Sequence, residues 1–255
     1  MMALEIFRRR EQKYLITRQQ YEALIVELLP YMRSDKNGYE GKYTVTSLYF
    51  ESPDKTIYYE TKNKLQYRQK LRLRVYDDAD ENGTAFFEVK QKHKKVVNKR
   101  RLTMKVYEAN RYLHANLDEP LGTYDTSNEQ VMREIHYFRQ LYRLRPEMIV
   151  SYDRHALHGI DDPDLRMTFD FNLRSRKEDL FVQNGSYGDF FIDPNLVVLE
   201  VKVNDSVPLW LTRIIQKVNC EQRSASKFCT SMEMLETKSL NMSDLYDEVS
   251  MVGGV

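Results

Sequence analysis

The sequence predicts an α+β fold: an antiparallel sheet curled around a charged interior, with helices on its outer face. Three observations lead there. Segments with a two-residue apolar period come in two sets, with helical segments between and after them, as in an α+β domain rather than a parallel βαβ sheet. The helical segments carry apolar stripes that need a sheet face to pack on. The polar faces of the strands are rich in Arg and Lys with single Glu residues interspersed, unlike the mixed polar face of an ordinary half-wet sheet.

The elements follow in order. Arg9, Glu11 and Lys13 alternate along a first strand. Thr17 then caps a helix: Gln20 completes a capping box, and Tyr21, Leu24, Ile25, Leu28 and Leu29 form one stripe ending near Pro30. Four strands follow, Tyr43–Phe50, Gln69–Tyr76, Ala85–Lys92 and Lys99–Lys105. Asn82-Gly83 marks a hairpin between the second and third of these, and His93–Asn98 joins the third to the fourth. Met104–Asn116 reads as a short helix. Ser127 opens a longer one, with Gln130 as capping-box partner and Val131, Ile135, Phe138 and Leu141 at helical spacing, and Pro146 closes that region. The second strand set is Glu147–Asp153, Leu165–Leu173 and Leu196–Val203. Pro208 begins a last helical block, Leu209–Asn219, continued through Ser224–Leu235. Residues 1–237 form one domain and 238–255 a polar tail.

Side chains at i and i+2 of a strand share a face. Arg72 and Arg74 therefore point together, away from Leu71, Leu73 and Val75. Glu88, Lys90 and Lys92 share a face, as do Glu200 and Lys202, and as do Arg166, Thr168, Asp170 and Asn172. With helices on the apolar face, the charged face becomes the interior. Like charges crowded there are unfavourable without an anion, and many Arg forks and Lys ammonium groups together suit a chain of phosphates. Arg72 and Arg74 are expected to face one cavity, with an anion held among them, Lys90, Arg154 and Arg166.

Composition excludes other classes. A net charge of +1 lacks the basic surplus of a protein that coats duplex nucleic acid. Cys220 and Cys229 have no partners at metal-ligand spacing and read as reduced thiols of a cytosolic protein. The charged N-terminus has no signal-peptide core, and no apolar run approaches the ~20 residues that span a bilayer.

In order and spacing, these residues resemble the catalytic domain of the VTC polyphosphate polymerases, one branch of the triphosphate tunnel metalloenzymes or CYTH-like group. The markers are Lys13-Tyr14, Ser47-Leu48-Tyr49-Phe50, Arg72-Leu73-Arg74-Val75-Tyr76, Glu88-Val89-Lys90, Tyr152-Asp153-Arg154, Arg166 with Asp170, Leu199-Glu200-Val201-Lys202 and Ser226-Lys227-Phe228. The resemblance implies an eight-stranded antiparallel barrel, the triphosphate tunnel. Carried over by position, it gives Lys13, Arg72, Arg74, Lys90, Arg154, Arg166 and Lys202 catalytic contacts to phosphate. Lys227 and the strand bearing Lys99 and Arg101 would bind substrate, without settling which of Lys99 and Arg101 points inward. Glu200 would hold Mn²⁺ or Mg²⁺, with Glu88 a weaker candidate for pairing or metal contact. There are departures. A second Lys of the family's C-terminal helix is Ser224 here, a His is replaced by Lys92 with His93 following, and the Glu-x-Glu-x-Lys signature survives only as Glu11-Gln12-Lys13. Fewer carboxylates suit long-chain binding better than two-metal triphosphate hydrolysis. The regulatory and membrane-spanning modules of the eukaryotic complex are not in this sequence, which implies a stand-alone bacterial-type version.

The resulting expectation is a cytoplasmic, metal-dependent enzyme that passes the ATP γ-phosphate to a growing polyphosphate chain. A metal-dependent triphosphatase and a non-catalytic polyphosphate-binding module are the alternatives. A nucleic-acid-binding barrel is set aside because most aromatics fall on the apolar faces instead of lining a basic groove. Direct membrane insertion is not expected, and a membrane-protein partner is left open.

Overall fold

Local sequence sets the elements of the computed structural model, which describes residues 10–237 except 95, 205, 224 and 225. In chain order they are β1 (Arg10–Thr17), α1 (Arg18–Leu28), β2 (Met32–Ser34), β3 (Lys42–Glu51), α2 (Thr56–Lys62), β4 (Tyr67–Tyr76), β5 (Thr84–His93), β6 (Val96–Lys105), α3 (Val106–His114), α4 (Glu129–Tyr142), β7 (Arg145–Gly159), β8 (Arg166–Arg176), β9 (Asp189–Phe190), β10 (Leu196–Val203) and α5 (Leu209–Lys217). Residues 227–237 form a C-terminal helix. Arg9 and the polar tail lie outside the described residues.

Eight antiparallel strands pair in the order β1-β10-β8-β7-β3-β4-β5-β6, with β2 added to β7 and β9 to β8. The eight-stranded antiparallel architecture expected from the resemblance is therefore present. No backbone ladder joins β1 to β6 among the described residues. The sheet nonetheless curls until its ends meet through side chains: Lys90 of β5 comes within 3.9 Å of Glu11 of β1. The free edge of β1 is met by the segment before the C-terminal helix, where the Arg223 N–H donates to the Lys13 carbonyl at 2.9 Å.

Helices cover the outer face in two groups. Leu24 and Leu28 of α1 and Leu211 and Ile215 of α5 pack on Met167, Phe169, Leu199 and Val201. Val106, Ala109 and Tyr112 of α3 and Val131, Ile135 and Phe138 of α4 pack on Leu71, Leu73, Val75, Phe87 and Leu102. Each of these strand residues alternates with a charged or polar one, so covering this face encloses the other.

The structure corrects several local readings. The Thr17–Gln20 capping box forms as expected, but Leu29 falls past the end of α1 and is 67 % exposed. The cap of α4 is Asn128, whose side chain accepts from the Val131 N–H, while the Ser127 hydroxyl accepts instead from the Thr103 N–H. Leu141 leaves the stripe of α4 for solvent. Pro146 does not close the helical region, which ends at Tyr142. It is the second residue of β7, opposite Phe50 at a register shift, where a missing N–H is tolerated. Strands β4 and β5 do pair, but through a seven-residue connection held by Asp80, without positive φ at Asn82 or Gly83. Asn172 takes φ +49° and breaks the alternation of β8, so its side chain meets Asp153 and Arg18 rather than the row of Asp170.

Gly41 illustrates a backbone requirement beside the site. Its φ is +74°, and an added Cβ would lie 2.6 Å from the Ala156 carbonyl and 2.9 Å from the Asp35 nitrogen. Gly41→Ala is expected to cost about 2 kcal/mol or more, from left-handed strain plus this clash. Urea unfolding measures it. A loss under about 0.5 kcal/mol would mean that the turn rearranges freely.

Candidate active site: a cationic interior

Register brings the charged positions of distant segments onto one surface. Lys13 of β1 faces Glu200 of β10, Lys202 faces Arg166 of β8, Asp170 faces Arg154 of β7, Arg72 of β4 faces Glu88 of β5, and Glu88 faces Arg101 of β6. Lys99 and Arg101 both point inward, two residues apart, and both contact Glu88. Arg100 between them points outward to Glu134 of α4 at 2.7 Å. The choice posed between Lys99 and Arg101 therefore dissolves. Lys227 enters from the C-terminal helix and reaches Asp170 at 2.6 Å and Glu200 at 3.0 Å.

Three buried carboxylates organise most of these cations. Glu88, 1 % exposed, accepts from Arg72 Nε at 2.6 Å and Arg101 Nε at 2.7 Å, and also contacts Lys99. Asp170, fully buried, takes a two-pronged contact from Arg154 at 2.6 and 2.8 Å. Glu200 meets Lys202 at 2.9 Å, Lys227 at 3.0 Å and Lys13 at 3.2 Å. Burial alone would raise the Glu200 carboxyl, but Lys202, Lys227 and Lys13 outweigh it and hold it well below the usual carboxylate range. Glu88 is likewise depressed, burial being overcome by Arg72 and Arg74. Of the two readings open for Glu88, pairing is the one its contacts describe.

Other cations have no carboxylate at such close range among the described residues, although Glu88 acts on Arg74 from further off. Arg74, 4 % exposed, donates only to neutral oxygens, from Nε to Ser47 Oγ at 3.0 Å and from Nη2 to the Tyr152 hydroxyl at 3.1 Å. Among the described residues, Lys90 has only the 3.9 Å contact to Glu11. Arg72 and Arg74 thus share the interior face as the i, i+2 spacing requires, one paired and one without a carboxylate.

Two groups of residues escaped the sequence reading. Asp35, in the loop after β2, holds Arg166 Nη2 at 3.0 Å and meets His158 Nε2 at 3.0 Å, while the Tyr43 hydroxyl accepts from the same Arg166 nitrogen at 3.1 Å. No periodic signal marks Asp35. Tyr49 and Tyr152 are aromatics that face inward, their hydroxyls meeting Arg72 and Arg74. Burial raises the Tyr49 phenol, yet Arg72 and Arg74 outweigh it and bring it down to about 8.

The donor set constrains any metal. Among the described residues, no three His, Cys, Asp or Glu side chains gather as a metal-binding cluster. The Lys13 ammonium lies between two carboxylates, 3.0 Å from Glu11 and 3.2 Å from Glu200. The two carboxylates therefore converge on one point of the interior, and with no third carboxylate, His or Cys beside them among the described residues they do not enclose an ion by themselves.

Comparison with known proteins agrees with this geometry. The sequence profile of the VTC domain matches residues 8–236. Vacuolar transporter chaperone complex subunit 4 of Trypanosoma cruzi is 26 % identical over 210 residues, 69 % of this chain, and the chain spans about a quarter (26 %) of that relative's length. A Bacillus halodurans protein described as a candidate adenylate cyclase superposes with a TM-score of 0.53 at 17 % identity, over 88 % of this chain and 96 % of the other, a likeness of fold. Among the described residues, no helix is long and apolar enough to cross a membrane.

Proposed function

The chain belongs to the VTC domain family, and from that premise we propose that it transfers the γ-phosphate of ATP to the end of a polyphosphate chain. The observation that carries the reading is the enclosed row of cations left over after Glu88, Asp170 and Glu200 are satisfied, Arg74 foremost. A buried guanidinium with only neutral partners is a standing demand for an anion.

In the proposed reaction, a terminal oxygen of the chain attacks the γ-phosphorus of ATP. The bond from that phosphorus to the β–γ bridging oxygen breaks, ADP departs with the electron pair, and the chain is one phosphate longer. The protein's part in such a transfer is positioning and charge neutralisation, without a covalent nucleophile. Arg72, Arg74, Lys90, Arg154, Arg166 and Lys202 would align donor and acceptor, with Lys13, Lys99, Arg101 and Lys227 completing the lining. Glu200, with Glu11 beside it, would hold Mn²⁺ or Mg²⁺. The ion would polarise phosphate oxygens and offset charge as the bond breaks.

Incubation with ATP and Mn²⁺, followed by separation of products by length, tests this. ADP together with chains of increasing length is expected, and chelator should stop it. Free phosphate without chains would show water as the acceptor and replace the reading with a triphosphatase. Polyphosphate binding with no turnover of ATP would reduce the domain to a binding module.

A further inference from the structure

Lys70 continues the inward row of β4, two residues before Arg72 and four before Arg74. Successive inward positions lie about 6.8 Å apart, so the row from Lys70 to Arg74 extends about 14 Å along the strand. Its register partner on β5 is Lys90. Like charges directly opposite one another on a sheet face are destabilising. The Lys70 ammonium donates to Ser226 Oγ at 3.1 Å and stands over the Phe228 ring, 5.0 Å from its centroid. Ser226 immediately precedes the C-terminal helix and Phe228 lies in it.

The groups that act on this ammonium are Tyr49 from β3, Lys90 from β5, Lys13 from β1 and Cys229 from the C-terminal helix. Two are ammonium groups, the others a phenol and a thiol, and no carboxylate among the described residues pairs with Lys70. Lys99, Lys202 and Lys227, by contrast, each sit on Glu88, Glu200 or Asp170. Among the described residues Lys70 has no carboxylate partner and Lys90 has only the 3.9 Å contact to Glu11, and an anion between the two ammonium groups would compensate both.

We propose that Lys70 and Lys90 form a phosphate clamp at the end of the interior bordered by the C-terminal helix, gripping polyphosphate beyond the groups held by Arg72 and Arg74. The clamp rests on the tunnel reading above and extends it to chain length. A phosphate chain that occupies Arg74 and Arg72 reaches Lys70 only if it is long enough to follow the row, so the clamp favours chains over single phosphates. Burial pushes the free Lys70 ammonium down to about 8; Cys229 and Tyr49 oppose this, and Lys90 and Lys13 add to it. Its grip is therefore full below that pH and fades above it.

Calorimetry in chelator, with inorganic phosphate and with long-chain polyphosphate, tests the clamp on the unsubstituted protein, Lys70→Met and Lys70→Arg. At pH 7, Lys70→Met should bind the long chain about tenfold or more weakly, the size of one charge-assisted contact. Inorganic phosphate should bind as before, and Lys70→Arg should keep most of the affinity. The gap between Met and wild type should narrow by pH 9. Without ligand, Lys70→Met should melt no lower than wild type, because it removes an uncompensated cation. Equal long-chain affinity in Lys70→Met and wild type overturns the clamp. So does an equal loss in the Met and Arg variants accompanied by lower melting temperatures, which marks a structural role. Arg74→Met separates the two levels. If it loses binding while Lys70→Met does not, only the clamp falls; if wild type binds no polyphosphate, the tunnel reading falls and takes the clamp with it.

Discussion

Glu200→Gln is expected to lower ATP turnover on the order of a hundredfold or more, while polyphosphate binding in chelator stays intact or tightens. Glu200 is 6 % exposed and sits among Lys13, Lys202 and Lys227. A carboxylate opposes phosphate in a basic interior, so its neutralisation frees Lys202 to meet the anion and leaves Lys13 to Glu11 and Lys227 to Asp170. Glutamine keeps the shape and an acceptor oxygen but is a poor ligand for Mg²⁺ or Mn²⁺. The turnover lost is the charge stabilisation a metal supplies, and about 2.7 kcal/mol corresponds to a hundredfold. Calorimetry in chelator and an ATP assay in Mn²⁺ read the two effects separately. Lys202→Ala supplies the contrast and should weaken binding itself, by about 1–3 kcal/mol. If Glu200→Gln loses metal-free binding to the same degree, Glu200 serves to orient lysines and the case for a metal there collapses.

Glu88→Gln should act on stability. Glu88 neutralises Arg72, Lys99 and Arg101 from a position 1 % exposed. Removing one partner of a buried ionic group strands the others, at a cost of about 3–5 kcal/mol. Tripolyphosphate should return much of that loss, because its oxygens can take over the stranded cations. The acid limb should change as well. The folded carboxyl of Glu88 is depressed, so its contribution is complete above the unfolded value of about 4.3 and is lost as pH falls toward the folded one. The variant should therefore lose less stability between pH 5 and pH 3 than wild type. Urea unfolding across that range, with and without tripolyphosphate, measures both. A cost below about 1 kcal/mol without anion would show that Glu88 is not what holds these cations together.

What the sequence discloses of this site follows from periodicity. The two-residue repeat converts directly into a shared face, so Arg72 with Arg74 and Glu200 with Lys202 could be placed together without coordinates. The same rule reaches Lys70, two residues upstream of Arg72, and also puts Lys99 with Arg101. Lys70 was missed because the alternation was read from Leu71 onward, beyond the mixed Gln69-Lys70 pair. Other features have no local signal. Asp35 reaches Arg166 across more than a hundred residues of chain. Helix α2 begins at Thr56 because the buried Glu51 carboxylate accepts from the Ile57 and Tyr58 N–H groups, a cap supplied from the end of the preceding strand. Its Thr, Ile and Tyr residues have middling helix propensity, so acceptors just upstream decide the matter: Glu51, and Ser52 Oγ, which accepts from the Thr56 N–H at 2.9 Å. The capping rule applied to Ser127 missed by one residue, because Asn128 is an equally good cap and Ser127 was needed by Thr103.

The pairing of β1 with β10 bears on how the protein is made. Lys13 leaves the ribosome 187 residues ahead of its register partner Glu200. At about 5–20 residues per second, translation takes roughly ten to forty seconds to deliver that partner. The segment that covers the other edge of β1, at Gln222 and Arg223, emerges later still. The hairpin succession β4-β5-β6 can assemble on the nascent chain, whereas β1 must wait without a strand to join. Glu200 therefore gains Lys13, and Glu11 is brought beside them, only after β10 has been made, so the cationic interior is completed late in the folding of this domain.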